Sequence, residues 1–264
     1  MSTPALTLTT LQSPQDPARV VVLMPGMGTD VAGTWAVTAR HMDPTSHIIA
    51  VDLPGHGLSP TWHEEEATLD DVARGVAEAV RPAVAEAGLT ELPVYFAGIS
   101  VGGAIALQLG LEHSDLFSRV AVVCSAAKIG DSEGWTDRAA TVREQGTGAM
   151  VEGSMQRWFA PGFLEANPQV GETLAASLRA ADDETYRSLC LAIGRFDMRP
   201  RLADIRIPVL AIAGQHDVVT TAEDARMIAE RVSQCTAVVV ADASHQAGVE
   251  QPEEVARLLD QLFG

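Results

Sequence analysis

The 264-residue sequence predicts an α/β protein, a mostly parallel sheet with helices on both faces. Three observations carry that prediction. Apolar runs of strand length alternate with helix-patterned segments on short connections, which is the rhythm of βαβ units. From Ile129 to about Arg201 the rhythm stops, leaving only helical patterns, and then it resumes, so a helical insert divides two strands. Near the middle, an apolar strand meets Gly98-Ile99-Ser100-Val101-Gly102 and passes at once into a helix.

Taken in order, Ala5–Leu11 alternates Leu and Thr and reads as a half-exposed opening strand, with a turn over Gln12–Pro17. Arg19–Met24 is a buried strand that runs into the glycine loop Pro25–Asp30. A helix is expected over Gly33–His41, ended by Asp43-Pro44. Strand His47–Val51 follows and leads into Asp52-Leu53-Pro54-Gly55-His56-Gly57-Leu58-Ser59. Thr68-Leu69-Asp70-Asp71 has the composition of a helix start, and the helix runs to about Ala87 with a kink expected at Pro82. Strand Val94–Ala97, helix Val101–His113 and strand Val120–Cys124 come next. Within the insert, helical pieces lie near Trp135–Glu144, Ala149–Phe159, Glu172–Arg179 and Asp183–Gly194. The chain closes with strand Val209–Ala213, helix Ala222–Val232, strand Ala237–Val240 and helix Pro252–Phe263. The expected division is a core of residues 1–128 and 202–264, with a helical cap, 129–201, inserted after the sixth core strand. Such a cap can cover the mouth of a site and shape its pocket.

Composition narrows the function classes. Apolar residues at 47% and charged residues at 20% describe a folded globular chain, and the apolar runs are strand-sized. The net charge of −17, with Lys128 as the single lysine, disfavours nucleic acid and anionic membranes as partners. A small-molecule substrate and a cytoplasmic location are expected; oligomeric state is left open. Cys124, Cys190 and Cys235 lie far apart without metal-like spacing, so neither a metal site nor a disulfide framework is expected. Cys124 closes an apolar run and reads as a buried small hydrophobe.

The chemistry centres on Ser100. A strand-to-helix turn this tight strains the serine backbone, and glycines two residues to either side are needed because neighbouring chains leave no room for a Cβ. A serine hydroxyl needs an adjacent base, itself oriented by an acid. Of the seven histidines, His245 follows strand Ala237–Val240 at the carboxyl edge of the sheet, where open α/β folds place ligands. His56, between two glycines, reads as a turn residue. Asp217 follows strand Val209–Ala213 on the same edge and gives the order nucleophile, acid, histidine. Asp242 competes, but a neighbour in the histidine's own loop rarely points back under the imidazole. The oxyanion donors are expected to be the backbone N–H groups of Val101, at the helix start, and Met27, in the first glycine loop.

Together these residues resemble the α/β-hydrolase superfamily across nearly the whole chain. A finer similarity is to 3-oxoadipate enol-lactonases. It lies in Phe96-Ala-Gly-Ile-Ser-Val-Gly-Gly103, Gly28-Thr29-Asp30, Ala126-Ala127-Lys128-Ile129-Gly130, Trp135-Thr-Asp-Arg138, Arg157-Trp158-Phe159, Tyr186…Cys190…Ala192, Asp197…Arg199 and Glu250-Gln251-Pro252. The resemblance implies a cofactor-free serine hydrolase that opens a small unsaturated lactone bearing a carboxymethyl arm. That arm calls for a cation, Arg138 first and Arg143 second, with Trp135 and Trp158 as apolar walls. A carboxylesterase or carbon–carbon bond hydrolase of the same fold, and a ligand receptor built on it, are the alternatives.

Overall fold

The computed structural model describes residues 2–264. In chain order the elements are β1 (Leu8–Gln12), β2 (Arg19–Met24), α1 (Val31–Thr34), α2 (Ala36–Ala39), β3 (Ser46–Val51) and α3 (Leu69–Glu86). They continue as β4 (Val94–Ile99), α4 (Val101–Glu112) and β5 (Phe117–Val123). The insert then contributes α5 (Ser132–Gln145), a 3₁₀ turn at Thr147–Met150, α6 (Val151–Trp158), α7 (Phe163–Ala166), α8 (Pro168–Ala180) and α9 (Asp183–Arg195). After a second 3₁₀ turn at Leu202–Asp204 come β6 (Val209–Gly214), α10 (Ala222–Arg231), β7 (Cys235–Val240), α11 (Ala247–Glu250) and α12 (Pro252–Phe263).

The seven strands form one sheet in the order β1-β3-β2-β4-β5-β6-β7. β1 pairs antiparallel with β3 and every other pairing is parallel. The strand order reverses between β2 and β4, so the loops leaving their carboxyl ends flank a crevice. Covering both faces is what makes β2, β4 and β6 buried along their whole length. Because side chains alternate, Val20, Val22, Phe96 and Val122 pack with α3, α4 and the insert, whereas Val21, Leu23, Tyr95 and Ala97 pack with α1, α2 and α12. α4 is buried from Val101 to Gly110, as a helix at the centre of such a stack must be.

Three sequence expectations need correction. The helix foreseen over Gly33–His41 is two short pieces broken at Trp35. Asp30 caps the first through Gly33 N–H at 2.7 Å, and the fully buried Trp35 ring anchors the break. α3 spans Pro82 as one helix, in keeping with its expected run to about Ala87. Both Pro82 and Glu78, whose carbonyl loses its helical donor there, are exposed, so water can take that carbonyl. The insert follows the fifth strand of this chain, not the sixth, because the described residues ahead of β1 form no further edge strand. Finally, β1, β5 and β7 are displaced from their expected bounds, with β5 ending at Val123 because Cys124 turns into positive φ (44°).

Phe263 locks the last helix onto the sheet: it is 1% exposed and stacks on Tyr95 with ring centroids 4.9 Å apart. Phe263→Ala should lower the unfolding free energy by about 3–5 kcal/mol, read as a shift of the urea midpoint at unchanged slope.

Candidate active site

The turn after β4 is built from missing atoms. A Cβ on Gly98 would lie 2.0 Å from the Gly102 carbonyl oxygen, and one on Gly102 would lie 2.7 Å from the Met24 carbonyl oxygen. Only bare backbone fits there, and it forces Ser100 to φ 56°, ψ −119°. The strained residue is held from three sides. Ser100 N–H donates to Val123 O at 2.9 Å, and Ser125 Oγ donates to Ser100 O at 2.6 Å. The Gly103 and Ala104 amides donate to that same carbonyl at 2.9 and 3.1 Å.

β6 and β7 deliver the partners. His245 Nε2 lies 2.9 Å from Ser100 Oγ, and His245 Nδ1 lies 2.9 Å from Asp217 Oδ2. A carboxylate only accepts, so Nδ1 carries the proton and Nε2 is left to receive one from the serine. Asp217 is held in turn: Oδ1 accepts from the Val219 and Thr220 amides at 2.8 and 3.0 Å, and Oδ2 accepts from the Thr220 hydroxyl at 3.0 Å. Burial works against this carboxylate. The charge and hydrogen bond of His245, with the two amides, outweigh burial and hold the carboxyl below its ordinary value. The loops carrying acid and histidine lie against each other, since a Cβ on Gly214 would meet the Ser244 carbonyl oxygen at 2.1 Å. Asp242 is exposed, with its backbone N–H on the Gln215 side chain at 3.2 Å, and plays no part in this contact.

The loop after β2 passes directly over the serine: a Cβ on Gly26 would lie 2.9 Å from Ser100 Cβ. Thr29 closes the loop by donating through its amide (3.2 Å) and its hydroxyl (2.8 Å) to Gly26 O. This brings Met27 beside Val101, and both line one cavity with Ser100 and His245. Its volume is about 280 Å³. Trp135, Arg138 and Trp158 from the insert line the same cavity. Trp135 is fixed by an N–H bond to Ile129 O at 2.7 Å. Arg138 sits over the Trp135 and Tyr186 rings at 5.5 Å from each centroid, with Nε 3.0 Å from the Tyr186 hydroxyl and Nη2 on that same oxygen. Burial, opposed by the Arg138 charge, pushes the Tyr186 hydroxyl up to about 12, so it stays a neutral partner.

Several site residues lie beyond the sequence reading. Arg157, Val218 and Val219 also line the cavity, and Thr220 supports the acid. Only Arg157 had a signal, its place next to Trp158. Arg143 does not line the cavity. His56 is buried, bonds Pro54 O through Nδ1 at 2.8 Å and stacks on Tyr186, while Asp52 ties its loop to α1 through the Val31 amide at 2.8 Å. Among the described residues no helix is long and apolar enough to cross a membrane.

The family model described as serine aminopeptidase, S33, matches residues 15–252. 3-Oxoadipate enol-lactonase 2 of Acinetobacter baylyi is 35% identical over 86% of this chain and 82% of its own length. 3-Oxoadipate enol-lactonase 1 of the same organism is 32% identical over 91% and 87%. Among solved structures, the enol-lactonase from Burkholderia xenovorans LB400 superposes with a TM-score of 0.88 at 27% identity, covering 98% of this chain and 96% of that one.

A carboxyl depressed in the fold stabilises it in full above the unfolded value, here near 3.8, and loses that contribution as pH falls through the folded value. Asp217→Asn should therefore lose less stability than wild type below about pH 4, measured by urea denaturation across the acid range.

Proposed function

The chain belongs to the α/β-hydrolase family, and from that premise we propose that it hydrolyses a small enol-lactone, 3-oxoadipate enol-lactone to 3-oxoadipate, through an acyl-enzyme. One observation carries the reading. The Ser100–His245–Asp217 relay opens on a cavity of about 280 Å³ whose lining includes two arginines, the half-buried Arg138 and the exposed Arg157, together with Asp131. The arginine ion pairs of this acidic protein lie elsewhere, at Arg19, Arg74, Arg81, Arg187, Arg199, Arg201 and Arg257. Neither arginine has a carboxylate within ion-pair distance, Asp131 at the cavity included, and such a cation suits a small substrate that brings its own carboxylate. Similarity to enol-lactonases in both sequence and structure supports the same choice.

In this mechanism Ser100 Oγ attacks the ring carbonyl while His245 Nε2 takes the hydroxyl proton. The Asp217 carboxylate stabilises the imidazolium, and the Met27 and Val101 amides receive the oxyanion. The ring C–O bond breaks, and the departing enol oxygen takes the proton back from His245. Tautomerisation of that enol to a ketone makes ring opening effectively irreversible. Water, deprotonated by His245, then attacks the acyl carbon and releases a second carboxylate together with free Ser100. Arg138, oriented by Tyr186, binds the carboxymethyl arm between the walls of Trp135 and Trp158. The helical insert acts as the cap of the site, and the reaction calls for no cofactor.

The test follows loss of the lactone absorbance beside p-nitrophenyl acetate and butyrate. Wild type should consume the lactone, and Ser100→Ala should lower kcat by about 10⁴-fold or more. An inert lactone with rapid ester turnover would sink this substrate. Arg138→Ala should raise KM for the lactone about 10–100-fold with a smaller change in kcat, the scale of one lost charge-assisted contact. An unchanged KM removes Arg138 from carboxylate binding.

A further inference from the structure

The insert is fastened to the loop that carries His245. Gln246 N–H donates to Trp158 O at 3.0 Å, and Ser244 Oγ lies 3.5 Å from Arg157 O. A single side chain completes the fastening. Glu250, 7% exposed, accepts the Ala160 amide on Oε1 at 2.6 Å and the Ser244 amide on Oε2 at 2.7 Å. Arg157 and Trp158 line the cavity, Ala160 follows two residues later, and Ser244 and Gln246 flank the histidine. One carboxylate therefore bridges a cavity wall and the base.

The choice of residue is informative. A buried carboxylate without a cation is costly, and burial pushes this one up while the two amides act against that. Only a carboxylate offers a separate acceptor oxygen to each of the two backbone amides. A glutamine of the same shape would aim its NH₂ group at one of them. α11 sets the reach, because its single turn after His245 brings position 250 back beneath Ser244.

We propose that Glu250 is a positioning residue that locks the seat of His245 to the Trp158–Ala160 segment of the insert, so that base and cavity wall keep one register. The proposal rests on the reading of Ser100 and His245 as nucleophile and base. It goes beyond that reading in making the alignment of the base depend on a residue of the insert.

The test uses full-length wild type, Glu250→Gln and Ala160→Pro, the last of which removes the amide on the insert side and leaves Glu250 in place. The first readout is the rate at which a fluorophosphonate labels Ser100, which needs the nucleophile and base but no lactone recognition. The second is the low-field proton resonance of the His245–Asp217 hydrogen bond, and circular dichroism checks the fold. Glu250→Gln should label about 10²-fold more slowly, the scale of a displacement near 1 Å, with the resonance broadened or lost in a folded protein. Ala160→Pro should slow labelling in the same sense, and the double variant should add little. If Glu250→Gln does not fold, Glu250→Asp, one methylene too short to reach both amides, takes its place in the same comparison. Labelling at the wild-type rate with the resonance intact would reduce Glu250 to packing. Slow labelling in Glu250→Gln but not in Ala160→Pro would overturn the link to the insert. Wild type that labels while the lactone stays inert overturns the substrate and leaves this proposal standing, whereas wild type that does not label overturns both.

Discussion

The contact of bare backbone on bare backbone beneath Ser100 sets the terms for the rest of the molecule. β2, the turn after β4 and the first turn of α4 approach so closely that no side-chain carbon fits at Gly98 or Gly102. That approach costs on the order of 1–3 kcal/mol in backbone strain at Ser100. The surrounding sheet meets that cost by being apolar on both faces, so that strand and helix cannot relax apart without exposing the core. Everything at the site is then a matter of bringing other loops to a point already fixed. The Gly26 loop arrives from the neighbouring strand, and the acid and histidine arrive from β6 and β7.

A second theme is electrostatic economy. A protein of net charge −17 places two arginines, Arg138 and Arg157, at one small cavity, neither of them in an ion pair, while exposed pairs such as Arg81–Asp115 lie elsewhere. The global charge repels anions at long range, so any attraction for them must arise within a few ångströms, inside a partly desolvated pocket where it is least screened by salt. Arg138 suits the role proposed for it, since its neutral partner, the Tyr186 hydroxyl, orients the fork without neutralising it.

Most of the sheet was legible in the sequence because buried strands are apolar runs and the helices between them have capped, periodic patterns. Arg19–Met24 and Pro252–Phe263 fall on their expected bounds. The Ser100 turn was legible because its glycines answer a steric demand that no other residue meets. The break at Trp35 was not, because it depends on where a large ring is buried, a tertiary fact. Thr220 and the role of Arg157 were hidden for a related reason. Each matters only through a partner distant in sequence, and neither residue type is unusual in a loop or a helix. Glu250 shows the same limit: the sequence displays the residue, but only the fold shows that its two oxygens face different parts of the chain.

The spacing of the relay along the chain has a consequence for how this protein comes into being. Ser100 and His245 are 145 residues apart, and the β5–β6 pairing must close over the whole insert before β7 can add to the edge. Pairings of such long range form late, after local helices and the earlier strands. Until β6 and β7 dock, Ser100 has neither His245 nor Asp217 within reach, whatever the state of its own turn. On the proposed mechanism a half-made chain is chemically silent, and the nucleophile is armed only when the last strand is in place.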